Sequence, residues 1–331
     1  MPGEFTLGLI AVLVLVLAAE FVNGWTDAPN AIATVVSTRV LAPRKAIVMA
    51  TVLNMVGAFA GTAVAVTIGT GIVDASVINL LTIAAAMIAL VFWSTLAARF
   101  GLPTSESHAL IAGLAGAGLA VAGPAALLSE GWVKVLIGLA FSIVLGFLGG
   151  WGITIAIHKV FRHSHRKGMR EIFGRLQMFS AAFMAFSHGS NDGQKFIGVF
   201  VLALVIGGIL PEFQVPIWVV VLCSVMMGIG TSTGGWRIIR TMGMKMVKLE
   251  PYQGFAAETG AASVIQAASV FGIPLSTTHT INTSIMGVGT VKGFSAVRWG
   301  VVRQIVLAWI LTFPICGALA WGIAFLSLRI F

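Results

Sequence analysis

Charged residues are scarce in this chain of 331 residues, where Asp, Glu, Lys and Arg make up 9%, against about a quarter in an ordinary soluble domain. A soluble fold of this size keeps a charged shell around its core, so that class is excluded. Cysteine is limited to Cys223 and Cys316. Both fall inside apolar runs without metal-ligand spacing, which excludes a secreted disulfide scaffold and reads as core packing. The first apolar run lacks the basic residues that open a signal peptide, so it is expected to remain as a helix. What the sequence has in quantity is 58% hydrophobic residues and 39 glycines, with a mean hydropathy of +1.01. That composition suits an all-α integral membrane protein whose helices pack closely.

The net charge of +9 raises nucleic acid as a partner, but the basic residues sit between apolar runs and are not interleaved with aromatics, so no nucleic-acid groove is expected. Apolar runs occur near 5–38, 46–70, 77–98, 102–122 and 132–158, then near 176–209, 214–236, 251–271, 273–291 and 301–328. A bilayer core needs about 20 residues per helix, which gives about ten segments. With the N-terminus outside, loops 39–45, 99–101, 159–175, 237–248 and 292–303 face the cytoplasm and hold 17 of the 20 Lys and Arg, as the positive-inside rule requires. The outward loops carry Glu4, Asp74, Glu130 and Glu212, and both termini are expected outside. The segments 101–122 and 272–291 are read either as crossings or as re-entrant hairpins.

Residues 159–175 form a basic cytoplasmic linker between an N-terminal membrane repeat, 1–158, and a C-terminal one, 176–331. Five crossings on each side make any repeat inverted. The repeat is legible: GLPTSESH at 101–108 returns as GIPLSTTH at 272–279, and NGWTDAPN at 23–30 aligns with HGSNDGQK at 188–195. Pro103 and Pro274 suit the first turn of a helix, and Thr104, Ser105, Ser107, Ser276, Thr277 and Thr278 are candidates to cap it. A helix that begins inside the membrane aims free N–H groups and a partial positive charge at what lies ahead, which is an anion site.

The other pair supplies negative charge. Asp27 and Asp192 lie in runs too long for one straight crossing, interrupted by Gly24, Pro29, Gly189 and Gly193, so broken or steeply tilted helices are expected there. An intramembrane carboxylate marks a transport path by default. Asn23, Asn30, Asn191 and Gln194 add the oxygens a hard cation accepts. Asp192 has an alternative partner in Lys195, one turn later, and Lys195 equally suits contact with the anion. Glu258 is a candidate third cation or proton ligand. His108 and His279 end the two repeated motifs, where they either titrate, fix a helix start or pack. Glu20 also lies at apolar depth but carries no assignment. No nucleophile, base and orienting group occur at a plausible spacing, so an enzyme is not expected.

These residues resemble the inorganic phosphate transporter (PiT) family of secondary carriers. HGSNDGQKFIG, GTSTGGWRIIRTMGMK and GIPLSTTHT are similar to its C-terminal half, and NGWTDAPNAIAT and GLPTSESHALIAG to its N-terminal half. The resemblance implies import of inorganic phosphate by Na+ or H+ symport in the cytoplasmic membrane, an inverted repeat, a homodimer, and no cofactor beyond the co-transported cation. It places phosphate ligands at Thr104, Ser105, Ser107, Ser276, Thr277 and Thr278, with Asn30 and Gln194 nearby, and cation-linked carboxylates at Asp27, Asp192 and Glu258, with Na+ near Asp27 and Asp192 if sodium drives transport. WTDAPN stands where ANDVAN is commoner, so Thr26 replaces Asn. ESH stands where TTH is commoner, which puts Glu106 in the first motif, where it either repels a dianion or carries a proton. Sulfate permeation on the same scaffold and an anion channel are the competing readings.

Overall fold

A computed structural model describes residues 5–330; Glu4, placed above in an outward loop, lies outside the described residues. Helix α1 (Leu7–Ser37) begins where the Thr6 side chain accepts the Leu9 N–H at 3.2 Å. Two shorter helices follow, α2 (Pro43–Gly57) and α3 (Ala63–Gly71), so the apolar run at 46–70 is cut in two. Then come α4 (Leu80–Phe100), α5 (Glu106–Ala122) and α6 (Ser129–Val160). The second half repeats this order. α7 (Arg166–His188) passes through a wide π turn at Gly189–Gly193 into α8 (Gln194–Ile206), and together they correspond to α1. α9 (Ile217–Thr233) and α10 (Trp236–Arg240) correspond to α2 and α3; α11 (Pro251–Val270), α12 (Thr277–Val291) and α13 (Trp299–Ile330) correspond to α4, α5 and α6.

Among the described residues, five helices, α1, α4, α5 with its short extension, α6 and α13, are long and apolar enough to cross a membrane, and α9 with the segment 236–246 forms a pair bent by 60°, either a broken span or a re-entrant loop. The fold is a multi-spanning all-α membrane fold in which long unbroken helices are combined with divided ones. The segment expected as a linker, 159–175, gives its first residues to α6 and its last ten to α7, which leaves a turn at 161–165.

Two expectations about helix geometry are corrected. The run around Asp27 is not broken: α1 continues through Pro29. Only its counterpart around Asp192 is irregular, because the glycines at both ends of Gly189–Gly193 carry no side chains to oppose the widened turn. Pro103 and Pro274 are not in the first turn of a helix. The N-caps are Ser105 and Ser276, so each proline stiffens the extended approach two residues earlier. The preceding helices stop at Gly101 (φ 69°) and Gly272 (φ 65°), the left-handed conformation that glycine adopts without a Cβ clash.

The two halves are interlocked rather than side by side. α5 packs along α13 and α12 along α6, so each motif helix lies against the long last helix of the other half. The repeated glycines make the crossings possible: a Cβ on Gly24 would sit 2.2 Å from the Met227 carbonyl oxygen of α9, and one on Gly189 would sit 2.1 Å from that of Asn54 in α2. Small residues at helix contacts are how membrane helices gain packing without a hydrophobic driving force. The outward faces of α6 and α13 present Val133, Leu136, Val144, Leu148, Ile310 and Leu326, as a lipid-facing surface does, and Cys223 and Cys316 are free and buried.

Candidate functional site

The two motif helices meet inside the molecule. At α5 the Ser105 hydroxyl accepts the His108 N–H at 3.2 Å; at α12 the Ser276 hydroxyl accepts the His279 N–H at 3.1 Å. These caps turn the side chains at the next two positions inward, Glu106 and Ser107 in one half and Thr277 and Thr278 in the other. The starts touch directly, for the Ser107 hydroxyl donates to the Leu275 carbonyl at 3.1 Å.

The acidic residues come to the same place. Asp27 accepts from the Thr278 hydroxyl at 3.1 Å. Asn30, one turn along α1, donates to Thr278 at 2.9 Å and to Thr277 at 3.3 Å. Thr277 donates in turn to Asp192 at 2.6 Å. Lys195 donates to Asp192, to the Ser107 hydroxyl and, at 2.7 Å, to the Leu275 carbonyl. The chain of contacts therefore joins Asp27, Asn30, Thr277, Thr278, Asp192, Lys195 and Ser107, every one of them at most 3% exposed. Beside Asp27 lies Glu106, which accepts from Thr26 at 2.8 Å and from Ser94. Three carboxyl groups thus share this buried cluster with one ammonium, a balance that calls for a further cation or for protons.

His188, at the start of the second acidic motif, was not singled out from the sequence. Its Nε2 lies 3.2 Å from Asp192, and ligand atoms of Asp27, His188 and Asp192 all fall within 4.8 Å of one another. Its Nδ1 faces the side-chain Oδ1 of Asn54 at 3.1 Å, and the Asn54 amide donates to the Thr231 hydroxyl at 3.1 Å, which donates to the Met227 carbonyl. That relay fixes the Asn54 amide and the orientation of the His188 ring, whose Nε2 edge faces the carboxylates. The signal in the sequence was the four-residue spacing to Asp192, one helical turn.

Other candidates are placed elsewhere. Gln194 is committed to the backbone: its oxygen accepts the Val64 N–H at 2.9 Å, closing the start of α3, and its amide donates to the Ser190 carbonyl at 2.6 Å. Ser105 and Ser276 are likewise used as caps, and Thr104 is buried in the approach to one of them. Asn191 donates to Ser269 at 2.9 Å and Asn23 to Glu20 at 3.0 Å. The side-chain oxygens of Asn23, Asn30 and Asn191 have no partner. Glu258 is not in the cluster. It accepts from Thr34, Gln177 and Ser180, and Thr34 lies seven residues past Asp27, about 10 Å along the helix. His108 and His279 pack against each other with ring centroids 4.5 Å apart, flanked by Phe313 and Trp309, so the repeat makes them a packed pair.

A cavity of about 680 Å³ reaches Thr26 from the face of the molecule that bears loops 99–101 and 237–248, lined by Trp25, Arg99, Gly234, Trp236 and Arg237. It lies at the bend between α9 and α10.

Comparison with known proteins extends this geometry. The model of a phosphate transporter family matches residues 23–320. A probable low-affinity inorganic phosphate transporter of Rhizobium meliloti (strain 1021) is 42% identical over 308 residues, 92% of each chain, and one of Bacillus subtilis (strain 168) is 38% identical over 320 residues, 95% of this chain and 96% of that one. Among solved structures, a sodium-dependent phosphate transporter has the same fold, with a TM-score of 0.88 at 23% identity over 98% of this chain and all of that one.

Proposed function

The chain belongs to the phosphate transporter family, and from that premise we propose that it is a secondary active carrier that imports inorganic phosphate by alternating access, driven by Na+ or H+. Its relatives are transporters rather than enzymes by name. The observation that carries the reading is the single buried network in which first-turn hydroxyls of two inverted helices meet two repeat-related aspartates. Ser107, Thr277 and Thr278 are the anion-facing hydroxyls, and the helix starts supply N–H groups and dipoles to a tetrahedral oxyanion without many fixed cations.

Coupling follows from charge. Asp27 and Glu106, when ionised, would repel a phosphate anion at this depth. A cation taken at Asp27, with the unpartnered oxygens of Asn23 and Asn30 in the same stretch of α1, lowers that repulsion, so cargo and cation bind together and cross together. Glu258, with Thr34 and Ser180, is the carboxylate such a cation meets further along α1. The cavity at Trp25 and Arg237 opens toward the basic loops, which supports reading it as the cytoplasmic opening of an inward-open arrangement. The protein lies in the cytoplasmic membrane with both termini outside and works as a homodimer.

Uptake of labelled phosphate into proteoliposomes, with Na+ and pH gradients imposed separately, tests the reading. Accumulation driven by one of the gradients is expected. Uptake indifferent to both, and surviving Asp27→Asn and Asp192→Asn, identifies an anion channel, and full competition by sulfate identifies a sulfate permease.

A further inference from the structure

The internal repeat that aligns Asp27 with Asp192 also aligns Asn30 with Lys195, and Thr278 with Ser107. The contacts obey the same pairing. Asn30 donates to Thr278 as Lys195 donates to Ser107. The two sides differ in charge. Asp192 has an ammonium of the chain's own, whereas Asp27 is met by the Thr278 hydroxyl, which in turn accepts from the neutral amide of Asn30, whose oxygen has no partner.

The surroundings of Lys195 Nζ are those of a bound hard cation: one carboxylate oxygen from Asp192, one hydroxyl from Ser107 and one backbone carbonyl from Leu275. All three N–H groups of the ammonium are used, and the side chain is 1% exposed. Carboxylate, hydroxyl and carbonyl oxygens are also what a desolvated monovalent metal cation collects. Two of the three oxygens come from the motif regions of opposite halves, so the ammonium also holds the two helix starts together.

We infer that Lys195 is a tethered counter-cation, filling the C-terminal one of two repeat-related cation positions, so that a co-transported cation is taken on the Asp27 side alone. Lys195 is then a determinant of coupling stoichiometry: its charge neutralises Asp192 in every cycle and is never released. The inference rests on the symport reading.

The test compares initial uptake of labelled phosphate in proteoliposomes of the wild type, Lys195→Asn and Lys195→Gln, with Na+ varied against choline at constant ionic strength and pH varied separately. Both variants are expected to transport once cation is raised, and the slope of log uptake against log cation concentration is expected to rise by about one, the linkage signature of one more bound ion. The converse variant, Asn30→Lys, adds the ammonium to the other half and is expected to lower the slope by about one relative to the wild type. Thermal unfolding in detergent establishes that each variant is folded. An unchanged slope in folded Lys195→Asn or Lys195→Gln overturns the inference and leaves Lys195 as an ion pair. Loss of uptake that no cation concentration restores also overturns it, since the ammonium then serves the anion. Wild-type uptake that ignores both gradients refutes the symport reading itself; a coupled wild type with an unchanged slope in the variants refutes only this inference.

Discussion

At the scale of single residues, two departures from the family's usual motifs prove to be one. Thr26, where Asn is commoner, donates to Glu106, where Thr is commoner. A buried carboxylate needs donors, and Thr26 and Ser94 supply them. Removing the Thr26 hydroxyl in Thr26→Val is expected to cost about 1–3 kcal/mol because it strips a donor from a buried charge-bearing group. Thr26→Val combined with Glu106→Gln is expected to cost less than the sum of the two. Thermal unfolding of the three variants measures this, and strict additivity would show that the contact carries no coupling. Ser105 and Ser276 give a second case. Each hydroxyl caps its helix, so Ser105→Ala and Ser276→Ala are each expected to lower stability by about 1 kcal/mol. A fall in phosphate affinity with unchanged thermal stability would return these hydroxyls to the anion. Asp27→Asn is expected to abolish the cation dependence of whatever uptake remains, and a normal cation dependence would contradict the coupling role.

At the scale of elements, the glycines that identify the repeat are contact residues between halves. Gly24 in α1 lies on α9, and Gly189 at the π turn lies on α2. A Cβ at either place meets a backbone oxygen, which has no rotamer to move aside, so the helices must separate. Gly24→Ala and Gly189→Ala are each expected to destabilise by roughly 1–3 kcal/mol or more, the usual cost of overpacking, whereas Gly152→Ala, with nothing within 4 Å, is expected to be neutral. Melting temperatures in detergent compare them. The same scale explains why one acidic run is irregular and the other is not. Gly189–Gly193 has glycine at both ends and opens into a π turn, which re-aims Asp192 toward Thr277 and Lys195. In α1, Pro29 has no such neighbour after Asp27, and the helix continues.

At the scale of the whole molecule, interlocking of the halves puts the site between them, with the bend of α9 and α10 at the mouth of the cavity. If that cavity is the inward path, a cysteine at Thr233, which lines it, is expected to react with an impermeant maleimide from the face bearing loops 99–101 and 237–248. Saturating phosphate with the driving cation is expected to slow that labelling. Equal labelling in both conditions, or labelling from the opposite face alone, would show that the cavity is not on the transport path. Much of this architecture was legible in advance because the bilayer imposes one-dimensional rules: apolar length marks spans, and Lys and Arg mark loops. The division of α2 from α3 was not legible, since both pieces and the turn between them are apolar.

The sequence alone determined that this is a membrane protein of two inverted copies, and that hydroxyl-rich helix starts and two aspartates recur in it. Those features are local patterns of hydropathy, charge and repetition, which survive in one dimension. Only the tertiary structure decided which donor meets which acceptor. A serine at a helix start serves equally as a cap or as a ligand, and Ser105 and Ser276 became caps while Ser107, Thr277 and Thr278 were turned to the site. Gln194 closed α3, Glu258 found partners on α1 and α7, and His188 was aimed at Asp192 through Asn54 and Thr231. In a low-dielectric interior every buried polar group must find a partner, and those partners come from segments far apart in the chain, so the choice among them exists only once the helices are packed.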